Sequence, residues 1–285
     1  MQDLTPLAPL HQAPGLAAIR ALRRRWPELP QVACFDTAFH RSMPRVEQRY
    51  ALPRDCYEAG VRRYGFHGLS YEYMASQLPL YLGASARKRV VVAHLGHGAS
   101  LCAMREGRSM ATTMGFTPLD GLPMATRSGA LDPGIATWLM RQQGLTAAEV
   151  DELFNRRSGL LGLSGSSGDM LELLEDDGPD ARLAVDYFVH HTHRALASMA
   201  AVLGGLDALV FTGGIGEHSA VIRARICEAA AWLGIRLDAR ANEDRQPCIS
   251  RPGSPVSVYS MATDEEQVIA AHAARLLRSP RRSPS

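Results

Sequence analysis

Four apolar runs in this chain each end on residues able to do chemistry. "ACFD" delivers Asp36. "VVVAHLGHG" delivers His94, then His97 between two glycines. "LVFTGGIGEH" runs into a second glycine-rich turn, and "YSMATDEE" ends on Asp264, Glu265 and Glu266. In open α/β sheets, ligands gather at the carboxyl ends of strands. Glycines at such an end let a phosphate approach the backbone closely, and a helix N-terminus favours an anion. Carboxylates suit Mg2+, a hard cation that takes oxygen ligands and keeps several waters. Arg127, in "ATRSG", stands among small residues that suggest a guanidinium displayed by a loop. Glycine turns, carboxylates, a cation and an imidazole together are the parts that phosphoryl transfer from a nucleotide requires.

Each part alone has a plainer reading. "FTGGIGEHS" also suits a bare strand-to-helix turn, and "HLGHG" a β-hairpin. Asp36 also suits a turn or helix cap. The run "DEE" fits a helix N-terminus, where acidic side chains oppose the dipole. Loop arginines such as Arg127 are commonly solvated. "HHTHR" (His190, His191, His193) lacks zinc-site spacing and reads as the surface and boundary of an amphipathic helix.

The elements that must position these residues alternate between strand and helix, which indicates an α/β protein. "GLAAIRALRRRW" predicts a helix, and Val32 to Phe35 a short buried strand ending at Asp36. "YEAGVRRYGFHGLSYEYMASQL" reads as a loop entering a helix, with Ser70 as N-cap. From "RVVVAHLGHGASLCAM" through "REGRSMATTM" the pattern predicts three strands joined by two turns. "GFTPLDGLPMATRSGALDPG" is a long Gly/Pro/Thr loop of the kind that carries function. Helices follow in "IATWLMRQQG", "TAAEVDELFNRRSG" and, after a Gly/Ser turn, "MLELLEDD". A long helix, "ARLAVDYFVHHTHRALASMAAVLGG", stops at two glycines. The last strand–turn–helix ends in a polar, basic tail, "RSPRRSPS", expected to be disordered.

Bulk properties narrow the partners. With 285 residues, 46% hydrophobic and 21% charged, the chain has ample material for a core. A formal net charge of +2 argues against nucleic acid, whose binders concentrate positive charge. Five scattered cysteines without a CxxC pair suit reduced thiols and argue against a zinc ribbon. No apolar run is long enough to cross a bilayer and no signal peptide opens the chain, so a cytoplasmic protein without a membrane partner is expected.

Six segments in order carry a resemblance: "CFDTAFHRSMP", "YALPRDCYEAGVRRYGFHGLS", "HLGHGASLCAMREGRS", "TTMGFTPLDGLPMATRSGALDPG", "RRSGLLGLSG" and "GGLDALVFTGGIGEHS". Through them the chain resembles the acetokinase family of the actin, sugar-kinase and Hsp70 superfamily. The resemblance implies a ribonuclease H-like, two-lobed α/β architecture and transfer of the ATP γ-phosphate to acetate, giving acetyl phosphate and ADP. It implies Mg2+ (or Mn2+) as cofactor and a homodimer.

By the same resemblance Asp36 is the active-site carboxylate, and His67 and Arg127 are the pair that meets the transferring phosphoryl group. His94, Leu95, Gly96, His97 and Gly98 are a phosphate turn. Asp169, Met170 and Leu171, with Gly214, Ile215, Gly216, Glu217 and His218, face the nucleotide. Glu265 is the metal carboxylate.

The chain also departs from the family pattern. The opening strand, its phosphate turn and a later strand with the acetate-holding arginine are missing, so the first lobe is expected to be incomplete. Residues 1–38 and 265–285 are then its remnant, and 39–264 the second lobe. Weak turnover and aggregation at exposed sheet edges follow as expectations. Tyr71 replaces a frequent second histidine, Leu171 a frequent arginine, Ala125 a glycine, and His97 the usual asparagine. A propionate or butyrate kinase is the alternative enzyme. A non-catalytic remnant that binds nucleotide or dimerises is the alternative outside catalysis.

Overall fold

The computed structural model describes residues 9–83 and 88–278. The tail "RSPRRSPS" falls outside them apart from Arg278. In chain order the helices before the sheet are α1 (Pro9–Arg25), α2 (Arg54–Glu58) and α3 (Gly68–Leu82). Strands β1 (Arg89–Leu95), β2 (Ala99–Arg105) and β3 (Arg108–Thr112) follow as a meander. Then come α4 (Pro133–Gln142), α5 (Ala147–Arg156), α6 (Gly159–Ser164), α7 (Met170–Glu175) and α8 (Pro179–Leu203). The chain ends with β4 (Ala208–Thr212), α9 (Gly213–His218), α10 (Ala220–Ala229), α11 (Ala239–Glu243), β5 (Ser257–Ser260) and α12 (Glu265–Arg278).

The five strands form one sheet in the order β3-β2-β1-β4-β5. β1 and β4 are parallel, as are β4 and β5, while β2 and β3 are antiparallel additions. Both faces are covered, so the central strands are apolar throughout rather than alternating. Val91, Ala93, Leu95, Leu209 and Phe211 pack with α8 residues such as Phe188 and Leu196. Val90, Val92, Cys102, Met104 and Val210 face the other way, onto Tyr71, Met74 and Leu78 of α3.

Three local expectations need correction. Val32 to Phe35 is not a buried strand: the segment is irregular, and Phe35 is 43% exposed. A strand needs a ladder partner, and among the described residues none pairs with this segment. Ser70 is not the N-cap of α3. The helix starts three residues earlier than that cap would place it, at Gly68, behind a left-handed His67 (φ 58°), and Ser70 is buried inside it. The "GGIGEH" segment is not an open turn but the short helix α9.

Candidate active site

Asp36 closes the start of α3 from 31 residues away. Its Oδ2 accepts from the His67 amide at 2.7 Å and its Oδ1 from the Leu69 amide at 3.2 Å. Gly68 is obligatory between them, since a Cβ there would lie 1.9 Å from the Asp36 carbonyl oxygen. The capping reading of Asp36 is therefore realised, and both carboxylate oxygens already hold backbone donors.

This clasp sets His67. Its Nδ1 lies 2.8 Å from Ser100 Oγ, and its ring stacks on His94 with centroids 4.2 Å apart. His94 Nδ1 lies 2.9 Å from Ser70 Oγ, which in turn meets Thr263 Oγ1 at 2.9 Å. Burial, then Arg127 and His40, push the His67 ring down to about 4. Burial and the neighbouring His67 push His94 down to about 3. Both imidazoles are neutral near pH 7. Arg127 comes from the long loop, its Nη1 donating to the Pro118 carbonyl at 3.3 Å. Among the described residues no carboxylate lies within ion-pair distance of Arg127, so its charge is available.

These groups converge on one glycine. A Cβ on Gly98 would stand 3.1 Å from His67 Nε2 and 3.5 Å from Arg127 Nη1. The missing side chain leaves room for a ligand between an imidazole and a guanidinium.

On the other side of the turn lies the second part of the site. His94 of β1 pairs with Thr212 of β4, so both strands end at the same sheet margin. A Cβ on Gly96 would come 3.6 Å from the Gly214 amide nitrogen, so the two glycine segments meet. They border a cleft of about 530 Å3. Gly96, His97, Asp169, Met170, Leu171, Gly214, Ile215 and His218 line it, joined by Ala125, Thr126, Gly168 and Ser219.

Of the other residues singled out in the sequence, Leu95, Gly216 and Glu217 lie behind this surface. Leu95 is wholly buried in the sheet, and Gly216 packs against Phe211. Glu217 turns inward, its Oε1 accepting from Gly213 N (2.9 Å), Thr212 Oγ1 (3.3 Å) and Thr263 N (3.4 Å). Asp169 borders the cleft but also caps α7 through the Leu171 amide at 2.7 Å. Glu265 opens α12, half-buried; burial and then the Asp36 charge push its carboxyl up. A divalent cation beside Glu265 and Asp36 would relieve that repulsion. Two carboxylates with waters and phosphates make a donor set that fits Mg2+.

Sequence reasoning read Ser70 only as a cap and missed Ser100 and Thr263: the Ser100 and Ser70 hydroxyls hold the two rings, and Thr263 backs Ser70. It also gave no role to His40. That histidine is buried, donates from Nε2 to the Phe66 carbonyl at 2.9 Å and meets Ser109 Oγ at 2.8 Å. It braces the backbone just before His67. A buried serine on a strand carries no sequence signature of this kind.

A profile of the Acetokinase family matches residues 1–271. The chain belongs to the acetokinase family. It is thus an enzyme of the phosphotransferase class with a carboxyl group as acceptor. It is 57% identical over 273 residues to an acetate kinase of Rhodopseudomonas palustris (strain ATCC BAA-98 / CGA009), spanning 95% of this chain and 69% of that protein. Identity to the acetate kinase of Methylocella silvestris is 52% over 277 residues, or 97% of this chain and 69% of the relative. Among solved structures, Porphyromonas gingivalis acetate kinase superposes with a TM-score of 0.90 at 40% identity, covering 97% of this chain and 71% of that one. A Francisella tularensis propionate kinase does so equally, with TM-score 0.90 and 40% identity over 94% of this chain and 70% of its own. The same fold is therefore shared by an acetate kinase and a propionate kinase.

Proposed function

We propose that the protein is an acetate kinase, transferring the γ-phosphoryl group of ATP to acetate to give acetyl phosphate and ADP. The observation that carries this reading is the convergence of His67 Nε2 and Arg127 Nη1 on Gly98, next to the glycine-bordered cleft. Acetate is already ionised at neutral pH and needs no general base. Asp36, with both oxygens held by amides, is correspondingly an organiser of geometry and not a proton acceptor. The obstacle is one anion attacking another. Arg127 compensates charge on the phosphoryl oxygens and His67 donates a hydrogen bond to them as the loose transition state forms. The nucleotide lies in the cleft along Gly96–Gly98 and Gly214, with Asp169 to Leu171 and His218 towards its adenosine end. Glu265, near Asp36, would hold Mg2+, which when bound neutralises phosphate charge.

The lobe division at 38/39 and 264/265 belongs to the same reading, with α12 packed along α3 and His272 Nε2 2.8 Å from Glu72 Oε1. So do a homodimer and a cytoplasmic location. All five cysteines are free thiols, and no helix among the described residues is long and apolar enough to cross a membrane.

Turnover by the 285-residue chain is expected to be low. The segment that delivers Asp36 has no ladder partner among the described residues, and segments with few backbone bonds open easily. A hydroxamate assay for acetyl phosphate, with acetate and propionate in parallel, tests the reading. Acetate turnover that requires ATP supports it; no acyl phosphate from either acid at any enzyme concentration refutes it. A rate equal to that of the Rhodopseudomonas palustris relative would refute the expectation of low turnover alone, and light scattering reports the dimer.

A further inference from the structure

The hydrogen bonds behind His67 determine which of its ring nitrogens carries the proton. Tyr71, on α3, is fully buried, and among the described residues its hydroxyl has one hydrogen-bond partner, Ser100 Oγ at 2.5 Å. Ser100, fully buried on β2, has two side-chain partners among them: that hydroxyl and His67 Nδ1 at 2.8 Å.

A buried phenol must place its proton on an acceptor, and Ser100 Oγ is the acceptor in reach. Burial also pushes the Tyr71 phenol well above its usual range, so it stays protonated. Ser100 therefore accepts from Tyr71. The serine's own proton has one acceptor left, His67 Nδ1. A ring nitrogen that accepts is bare, and a neutral imidazole then carries its proton on Nε2. The opposite tautomer would aim an Nδ1–H at Ser100 and strand a hydroxyl proton in a buried site, an arrangement that proteins avoid. The ring itself is held neutral by burial and by the Arg127 guanidinium nearby.

We propose that Tyr71, acting through Ser100, is a positioning residue that holds His67 in its Nε2–H tautomer and so presents a neutral N–H donor at Gly98. The tautomer stands on the hydrogen-bond geometry around a buried, neutral ring. Its use on a phosphoryl group rests on the function proposed above. Phosphoryl oxygens only accept, so the opposite tautomer would meet them with a bare nitrogen. A phenylalanine at 71 keeps the ring and its packing but removes the proton that commits Ser100. Nδ1–H can then donate to the serine, and the two tautomers mix.

The test is the histidine ring-nitrogen spectrum of the full 285-residue chain, labelled with 15N-histidine, at pH 7.5. His67 is assigned by the signal lost in His67→Asn. In the unsubstituted chain, Nδ1 is expected at the shift of a bare nitrogen and Nε2 at that of an N–H. In Tyr71→Phe the two shifts should move towards each other. A protonated Nδ1 in the unsubstituted chain overturns the proposal. So does a Tyr71→Phe chain with unchanged His67 shifts. Should Tyr71→Phe fail to fold, Ser100→Ala takes its place with the same expected and contrary outcomes. The spectrum needs no turnover. Absence of kinase activity would therefore refute the acetate kinase reading and leave the tautomer standing.

Discussion

The two halves of the site are built in opposite ways. On the phosphoryl side, side chains do the positioning: His40, His67 and His94 are each held by a buried hydroxyl or carbonyl. On the nucleotide side, two glycine segments meet at the cleft, and a set of buried side-chain hydrogen bonds lies behind it. Arg223, fully buried on α10, donates to the Gly216 and Glu217 carbonyls of α9 at 2.9 and 2.7 Å and to Asn242 from its other nitrogens. The contrast suits the tasks. Charge developing in a transition state needs preorganised donors at fixed positions, whereas a nucleotide's phosphates can be met by backbone that needs only to be close.

Acid should separate the halves most. His40 is held down to about 4, His67 to about 4 and His94 to about 3, each chiefly by burial. Unfolded histidines titrate near 6.5, so below that pH the unfolded state binds more protons than the folded one. Their contribution is fully present above about pH 6.5 and is lost as pH falls towards about 4. Urea unfolding should show a loss of about 4–6 kcal/mol between pH 6.5 and 5, at up to about 1.4 kcal/mol per pH unit per ring. A flat profile over that interval would mean that the rings are not shielded from water.

Arg127→Ala tests the phosphoryl side alone. Acetyl phosphate formation should fall about 10²–10³-fold relative to the unsubstituted chain, or about 3–4 kcal/mol, as for loss of a charge-stabilising donor. ADP affinity by calorimetry should change less than about threefold, since Arg127 does not border the cleft. Equal losses in both would join the halves into one unit.

Arg223→Met tests the other side from behind. It removes the Arg223 donor from the Gly216 and Glu217 carbonyls and from Asn242 Oδ1, while Asn242 O keeps the Arg245 amide, and a destabilisation of about 3 kcal/mol is expected in urea. ADP binding should weaken as α9 loosens, which calorimetry at low temperature can read before unfolding intrudes.

The smallest effect belongs to His97→Asn. The ring is exposed at the cleft. ADP affinity by calorimetry should agree within about twofold, because screened surface groups contribute little. A tenfold or larger loss would show a ring in direct contact with the nucleotide.

Much of the architecture was legible in the chain. The β1–β2–β3 meander, the long loop, the stop of α8 at Gly204 and the helix ending the fold follow from apolar period and glycine placement. Eight of the residues that the family resemblance, not period or spacing, assigns to the nucleotide line one cleft. These signals are short-range: a period, a turn residue or a motif acts within a few neighbours.

Tertiary structure decided the rest, because its causes are long-range. Whether Val32 to Phe35 pairs as a strand depends on a partner, not on its own apolarity. Where α3 begins depends on a carboxylate 31 residues before it. That Leu95, Gly216 and Glu217 lie behind the cleft, although their neighbours line it, follows from which way each residue faces once β1 and β4 are paired. The tautomer of His67 turns on protons shared among three residues from a loop end, a helix and a strand. The sequence determined which elements form and which family they compose. Only packing, by burying polar groups that then had to find each other, decided which hydroxyl serves which ring.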